Sequence, residues 1–414
     1  MKKYLALLLV LVMVLSLAAC ASKPAETTDE PEQTTTEPAP AEETKDEEPA
    51  PAEETKEEEP TEEPADNTEY AVAMITDYGD ITDQSFNQTT YEACKAFCED
   101  NGVEFSYFKP AGDNTADRVA MIEKAVDEGY NVIVMPGYAF GGAIVEAAPE
   151  FPDVKFIALD VAKGDLLEAG VAKAGESYDY NPDNWDLEKY VDMSNVYCAI
   201  YQEELCGYMA GYAAVKLGYK SLGFLGGMAV PAVIRYGYGF VQGVDAAAAD
   251  LGLSDVTVKY VYGGQFFGDA DITAVMDTWY AGGTEVVFAC GGSMFSSIVS
   301  AASANDMFVV GVDVDQSFES ETVVTSALKG LSNATSWAIG KFYAGEWEEI
   351  GNVATSLGAN DDAVGLPTDS WSLTNYTVEQ YEEMYQKVKD GTLAVDADYN
   401  NLEQEYSNLT LKIS

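Results

Sequence analysis

The chain has 414 residues, with 71 acidic side chains against 22 basic ones, a formal charge of −49 and no histidine. Lack of histidine excludes Ser-His-Asp and Cys-His nucleophile pairs, a histidine general base and histidine-ligated zinc, and so acidic a chain repels phosphate backbones, which excludes nucleic acid as a partner. A neutral small molecule or a cation stays open as the target, and a hydrophobic fraction of 47% supplies one large or two medium cores at this length.

The chain opens with Met1, Lys2 and Lys3, runs apolar over 5–15, and reaches Leu17, Ala18, Ala19 and Cys20. A basic start, a short apolar stretch and small residues before a break are the plan of a secretory signal over 1–19; the apolar run is short of the roughly 20 residues that span a bilayer. Leu-Ala-Ala-Cys resembles the lipobox of bacterial lipoproteins, in which the cysteine, here Cys20, becomes the lipidated first residue.

From 21 to 69 the composition turns to Pro, Thr, Ala and Glu, with 19 acidic residues against Lys23, Lys45 and Lys56, a net −16. Such a segment cannot bury enough surface to fold and extends by self-repulsion, so 20–69 reads as a lipidated cysteine followed by a disordered tether with a mean reach of about 40 Å. Removing that −16 and the +2 of the two leading lysines leaves −35 on residues 70–414. The five cysteines there are an odd number, and Cys94 and Cys98, one helical turn apart, read as small core residues rather than a disulfide.

Beyond the tether, short apolar runs at 71–75, 103–108, 132–135 and 154–159 each end near a turn former or Asp, a fifth run lies at 195–200, and helical stretches such as 88–99, 118–127 and 203–216 lie between or after them. The scheme restarts with runs at 222–225, 256–261, 286–289, 308–312 and 323–326. This β/α alternation predicts an α/β protein of two Rossmann-like parallel-sheet lobes, one over 70–218 and one over 219–330, with 331–414 as hinge crossover and helices completing both.

Ligands of open α/β sheets bind beyond the carboxyl ends of the strands, and two such edges can face each other across a cleft closed by a hinge. Candidate residues are therefore Asp77, Gly137, Asp160, Gly226, Gly227, Gly263, Gly264, Gly291, Gly292, Asp313 and Asp315. Glycines there let backbone approach a ligand, and carboxylates accept from hydroxyls or ring N–H groups; a single Asp at such a place is also a common helix N-cap. Asp313 and Asp315 as acid and base, or as metal ligands with Asp160, would be the best support for an enzyme, but no phosphate-cradling loop or clustered metal motif accompanies them. The reading is a binding protein with no catalytic residue, no metal and no cofactor.

The segment 76–87, Thr-Asp-Tyr-Gly-Asp-Ile-Thr-Asp-Gln-Ser-Phe-Asn, resembles the first-loop signature of the basic membrane protein family of lipoproteins. The likeness continues at 151–156 leading to Asp160, at 226–228 with Pro231, Gly239 and Phe240, at 311–316, and at Thr325, Ser326 and Lys329. That resemblance implies a type I periplasmic-binding-protein fold and a substrate-binding protein of an ABC transporter, several relatives binding purine nucleosides. It implies Phe86 and Phe266 as aromatic plates on a nucleobase, with Phe267 as the alternative second plate, Asp160 as the carboxylate reading base nitrogens, Asp313 and Lys329 as the pair on the ribose hydroxyls, and Asp77, Asp83 and Asn87 lining or bracing the first loop.

Two departures loosen the ligand assignment: Gln84 stands where the family usually has Lys, and Gly291 to Phe295 replaces a more Gly- and Thr-rich turn, so that Met294 or Phe295 can narrow the pocket. Tyr236, Tyr238, Tyr262 and Trp337 read as core or rim. A sugar or small polyol in the same cleft is the alternative ligand, and a sensing surface lipoprotein the alternative role. With only Arg118 and Arg235 in the body, no phosphate-binding cluster is evident. The expected partners are a nucleoside, a membrane permease and the lipid anchor on the outer face of the cell membrane, with the chain acting as a monomer.

Overall fold

The computed structural model describes residues 70–414, so the expected signal, Cys20 and tether lie outside the described residues. The first lobe is laid down as β1 (Ala71–Ile75), α1 (Phe86–Asn101), β2 (Glu104–Phe108), α2 (Thr115–Asp127), β3 (Val132–Pro136), α3 (Gly141–Ala147), β4 (Lys155–Leu159), α4 (Lys163–Lys173) and β5 (Val196–Tyr201). Strands β3 and β4 are almost wholly buried, as their unbroken apolar runs require in a sheet covered on both faces. Helix α1 ends where Gly102 takes the left-handed conformation and its N–H caps the Cys98 carbonyl, and α2 starts where the Asn114 side chain accepts from the Asp117 N–H. Cys94 and Cys98 are buried and unbonded.

The chain then forms α5 (Glu203–Lys216), β6 (Ser221–Gly226), α6 (Pro231–Leu251), β7 (Val256–Tyr262), α7 (Ala270–Ala281), β8 (Val286–Cys290), α8 (Phe295–Ala304), β9 (Phe308–Asp313) and β10 (Val323–Lys329). It continues through α9 (Leu331–Tyr343), α10 (Trp347–Ile350), β11 (Val353–Leu357), β12 (Val364–Gly365), α11 (Val378–Lys389) and β13 (Leu409–Ile413). The sheets have the orders β11-β5-β4-β3-β1-β2 and β12-β10-β9-β8-β6-β7-β13, parallel except for β12.

Two expectations about organisation change. Helix α5 belongs to the second lobe, not the first, because its face closes on α6 through glycines: a Cβ on Gly207 would lie 2.2 Å from the Tyr236 carbonyl, and one on Gly243 1.9 Å from the Tyr208 carbonyl. The chain therefore crosses between lobes at Gln202, not near Tyr219. The segment 331–414 also supplies strands, β11 to the first sheet and β12 and β13 to the second. These sit at sheet edges, which explains why they lack the long apolar runs of central strands.

The lobes are joined at three places: β5 to α5, β10 to α9, which packs on α1, and β11 to β12. These segments lie side by side. The Gln202 N–H donates to the Leu357 carbonyl at 2.9 Å and the Gly330 N–H to the Ala363 carbonyl at 2.8 Å. The Gln202 side chain packs directly on Gly358, where a Cβ would lie 2.0 Å from Gln202 Oε1 and would displace that amide. Among the described residues, no helix is long and apolar enough to cross a membrane.

Candidate functional site

A cavity of about 280 Å³ opens between the carboxyl ends of the two sheets. All nine ligand-binding residues expected from sequence line it: Asp77, Asp83, Phe86, Asn87, Asp160, Phe266, Gly292, Asp313 and Lys329. Asp315 does not; its carboxylate accepts from the Ser317 N–H in the loop after β9. Met294 and Phe295 are buried in the hydrophobic core between α7, α8 and the sheet, so they do not narrow the cavity.

The first loop is organised by Asp83. Its two oxygens accept from the backbone N–H groups of Ser85, Asn87 and Gln88 and from Asn87 Nδ2, which fixes the start of α1 in the way a helix cap does. Asp83 is thus a brace with its acceptor capacity used, whereas Asn87 shares its Nδ2 between Asp83 and Asp77 and keeps a buried Oδ1 free of hydrogen bonds. Asp77 accepts from the Gly79 N–H at 2.5 Å, and Gly137, at φ +126°, passes so close that a Cβ would lie 3.3 Å from the Asp77 Cβ. Burial pushes the Asp77 carboxyl up to about 6 against these hydrogen bonds.

Two further carboxylates stand on strained backbone. Asp160, directly after β4, and Asp313, the last residue of β9, have φ of +61° and +66°, a left-handed conformation rare for residues with a Cβ and costing about 1–3 kcal/mol each. Asp313 accepts from the Ser85 hydroxyl at 2.5 Å and the Tyr236 hydroxyl at 3.1 Å, so its carboxylate links the first loop of one lobe to α6 of the other. Its carboxyl is raised by burial, opposed by Lys329, Ser85 and Tyr236. The lobes also meet where Gln84, at φ +56°, donates to Glu319 at 2.6 Å and accepts from Gln316 at 2.9 Å.

Lys329 is the centre of a buried chain of charge. Its ammonium lies 2.5 Å from Asp160 Oδ2 and 2.9 Å from Glu203 Oε1, and Arg235 Nε lies 2.5 Å from Glu203 Oε2. The four charges balance, which is what allows them to be buried. Burial raises the Asp160 carboxyl to about 6 although Lys329 opposes it; burial would also raise Glu203, but Arg235 and Lys329 outweigh it and hold that carboxyl below its ordinary value. The ammonium is 5.1 Å from the Phe86 ring centroid and 4.8 Å from that of Tyr201, within cation–π reach of both.

Of the two candidate second plates, Phe266 packs on the backbone, since a Cβ on Gly227 would lie 2.4 Å from its ring, and its ring centroid is 6.2 Å from that of Tyr78; Phe267 is 54% exposed. Sequence reasoning missed Ser85, Glu203 and Arg235, and read Tyr236 as core or rim; it is buried and also lines the cavity. The scarcity of arginine in so acidic a body was the available signal for Arg235; nothing local marks Glu203, which is an ordinary residue of a helix first turn.

Two parallel-sheet lobes joined by three crossing segments, with carboxylates, aromatic faces and a lysine around the cavity between their strand ends, define a two-lobed solute-binding protein. The chain belongs to the Bmp family, described as ABC transporter substrate-binding protein PnrA-like, whose model matches residues 70–398. It is 26% identical over 264 residues to the ABC transporter nucleoside-binding protein BmpA of Lactococcus lactis subsp. cremoris, covering 61% of this chain and 66% of that relative. It is 24% identical over 337 residues to an uncharacterized lipoprotein of Pyrococcus furiosus, covering 78% and 75%. Among solved structures, a solute-binding protein of an ABC transporter system from Aeropyrum pernix superposes with a TM-score of 0.59 at 20% identity, over 81% of this chain and 90% of that one. The chain is an ABC transporter substrate-binding protein of this family.

Proposed function

We propose that the protein captures a purine nucleoside in its inter-lobe cleft and presents it to a membrane permease, acting as a monomer held to the outer face of the cell membrane through lipidated Cys20. The observation that carries this reading is Asp160 Oδ1, a buried carboxylate oxygen without a hydrogen-bond partner, in a cavity that the rings of Phe86 and Phe266 also line. A nucleobase offers π-faces to such rings and an edge of N–H groups to such an oxygen, and a ribose offers vicinal hydroxyls to Asp313 and Lys329. The balanced charge of Asp160, Lys329, Glu203 and Arg235, with Asp77, Asp83 and Asp313 added, favours a neutral ligand over a phosphorylated one.

Calorimetric titration with purine and pyrimidine nucleosides, ribose and free bases tests the reading. Purine nucleosides should bind at micromolar dissociation constants or below, and Phe86→Ala should weaken them roughly 5- to 150-fold, the worth of one base–aromatic stack. Binding of ribose or an unrelated sugar while every nucleoside fails would remove the base from the proposal.

A further inference from the structure

The chain of charge from Asp160 to Arg235 has two unfinished ends. At one, Asp160 Oδ1 is buried and accepts no hydrogen bond. At the other, Arg235 is held by Glu203 through Nε alone; its terminal nitrogens donate to no other described residue, although the side chain is only 14% exposed and lines the cavity. The two ends are close enough that the Arg235 charge favours the ionised form of Asp160. A guanidinium engaged through Nε presents its two terminal nitrogens as parallel donors in a rigid fork, which fits two neighbouring acceptors, while the adjoining carboxylate oxygen fits a donor. Fixed by Glu203 and by its place in α6, the fork does not need to be ordered by the ligand.

Purines differ in this pattern. A 6-oxopurine shows N7 and O6 as neighbouring acceptors, followed by the N1–H donor; a 6-aminopurine shows N7, then an amino donor, then an unprotonated N1. Against the first, the fork meets two acceptors and the carboxylate a donor. Against the second, guanidinium N–H faces amino N–H and the carboxylate faces a lone pair, leaving buried polar groups unpaired. Resting on the nucleoside reading above, we infer that Arg235 is a specificity-determining residue and that the cleft takes 6-oxopurine nucleosides in preference to adenosine.

The test is calorimetric titration of the full chain with inosine, guanosine, adenosine and 7-deazaguanosine, repeated with Arg235→Lys, which keeps the charge beside Glu203 and removes the fork. Inosine and guanosine should bind at least about 20-fold tighter than adenosine, the discrimination of a site whose polar groups are left unpaired by the wrong ligand. Loss of the N7 acceptor in 7-deazaguanosine should weaken binding at least about fivefold, and Arg235→Lys should bring the inosine-to-adenosine ratio within about threefold. Should that variant not fold, the wild-type ratio and the 7-deazaguanosine loss decide alone. Adenosine bound as tightly as inosine, or a ratio unmoved in Arg235→Lys, overturns the inference and leaves the nucleoside reading standing. Failure of every nucleoside to bind overturns both.

Discussion

Replacing Lys329 by Met removes a charge and leaves a side chain of similar length. Lys329 is the one hydrogen-bonding partner of the Asp160 carboxylate among the described residues and one of two cations on Glu203. At pH 8 the variant must keep Asp160 unpaired in a buried setting or draw onto it a proton that the unfolded chain does not hold, and breaking such a pair costs about 3–5 kcal/mol. The Asp160 carboxyl already stands near 6 with the ammonium beside it, so without it the value rises further and the group is protonated at pH 5. Glu203 keeps Arg235 there. The penalty at pH 5 should therefore shrink to roughly 1–2 kcal/mol, the scale of an imperfect packing exchange. Urea unfolding of wild type and variant at both pH values, followed by tryptophan fluorescence, measures the difference. A penalty equal at pH 5 and pH 8 would refute the electrostatic account of the network.

Ser85→Ala deletes a hydrogen bond to the Asp313 carboxylate that links the lobes, worth about 1.5–3 kcal/mol to the closed arrangement; small-angle scattering without ligand should show a larger radius of gyration. Gly243→Ala should destabilise the protein by about 1–3 kcal/mol in thermal unfolding, despite the better helix propensity of Ala, because its Cβ would lie 1.9 Å from the Tyr208 carbonyl. Burial raises the Glu204 carboxyl to about 7 from an ordinary 4.5. The unfolded chain thus loses this proton first, and stability contributed by the group falls as pH rises from about 4.5 to 7. Glu204→Gln should match wild type near pH 4.5 and gain on it by about 2–3 kcal/mol by pH 8, and parallel denaturation curves at the two pH values would sink that assignment.

What the sequence disclosed follows from where each residue draws its constraint. Central strands such as β3 and β4 are buried on both faces, so an unbroken apolar run marks them, and residues such as Asp77, Asp160 and Asp313 are found by reading just past those runs. Edge strands β11 and β13 carry no such run; Thr355, Thr410 and Lys412 interrupt them, and their pairing with β5 and β7 is a tertiary fact. Helix α5 is buried nearly all round, which erases the one-sided stripe that would tie it to a lobe. The first-loop motif located Asp83 and Asn87, but their division of labour, with Asp83 saturated and Asn87 Oδ1 left open, depends on hydrogen bonds that spacing does not express. The same holds for Lys329: its place at the end of β10 was legible, whereas its pairing with Asp160 and Glu203 joins residues more than a hundred positions apart.

The position of the charge network relative to the crossings ties recognition to movement. Asp160 belongs to the first lobe and Arg235 to the second, while Glu203 follows the crossing at Gln202 and Lys329 precedes the one at Gly330. The Lys329–Glu203 pair therefore lies at the pivot, and a rotation about these crossings changes the separation of Asp160 and Arg235 more than that of the central pair. A ligand that accepts from Arg235 and donates to Asp160 spans the two moving ends and has differential affinity for the closed arrangement, which is the condition for it to shift the balance. The net neutrality of the four groups lets them stay desolvated without an additional counter-ion. In a body carrying −35, that local balance matters more to a neutral solute than the total charge does.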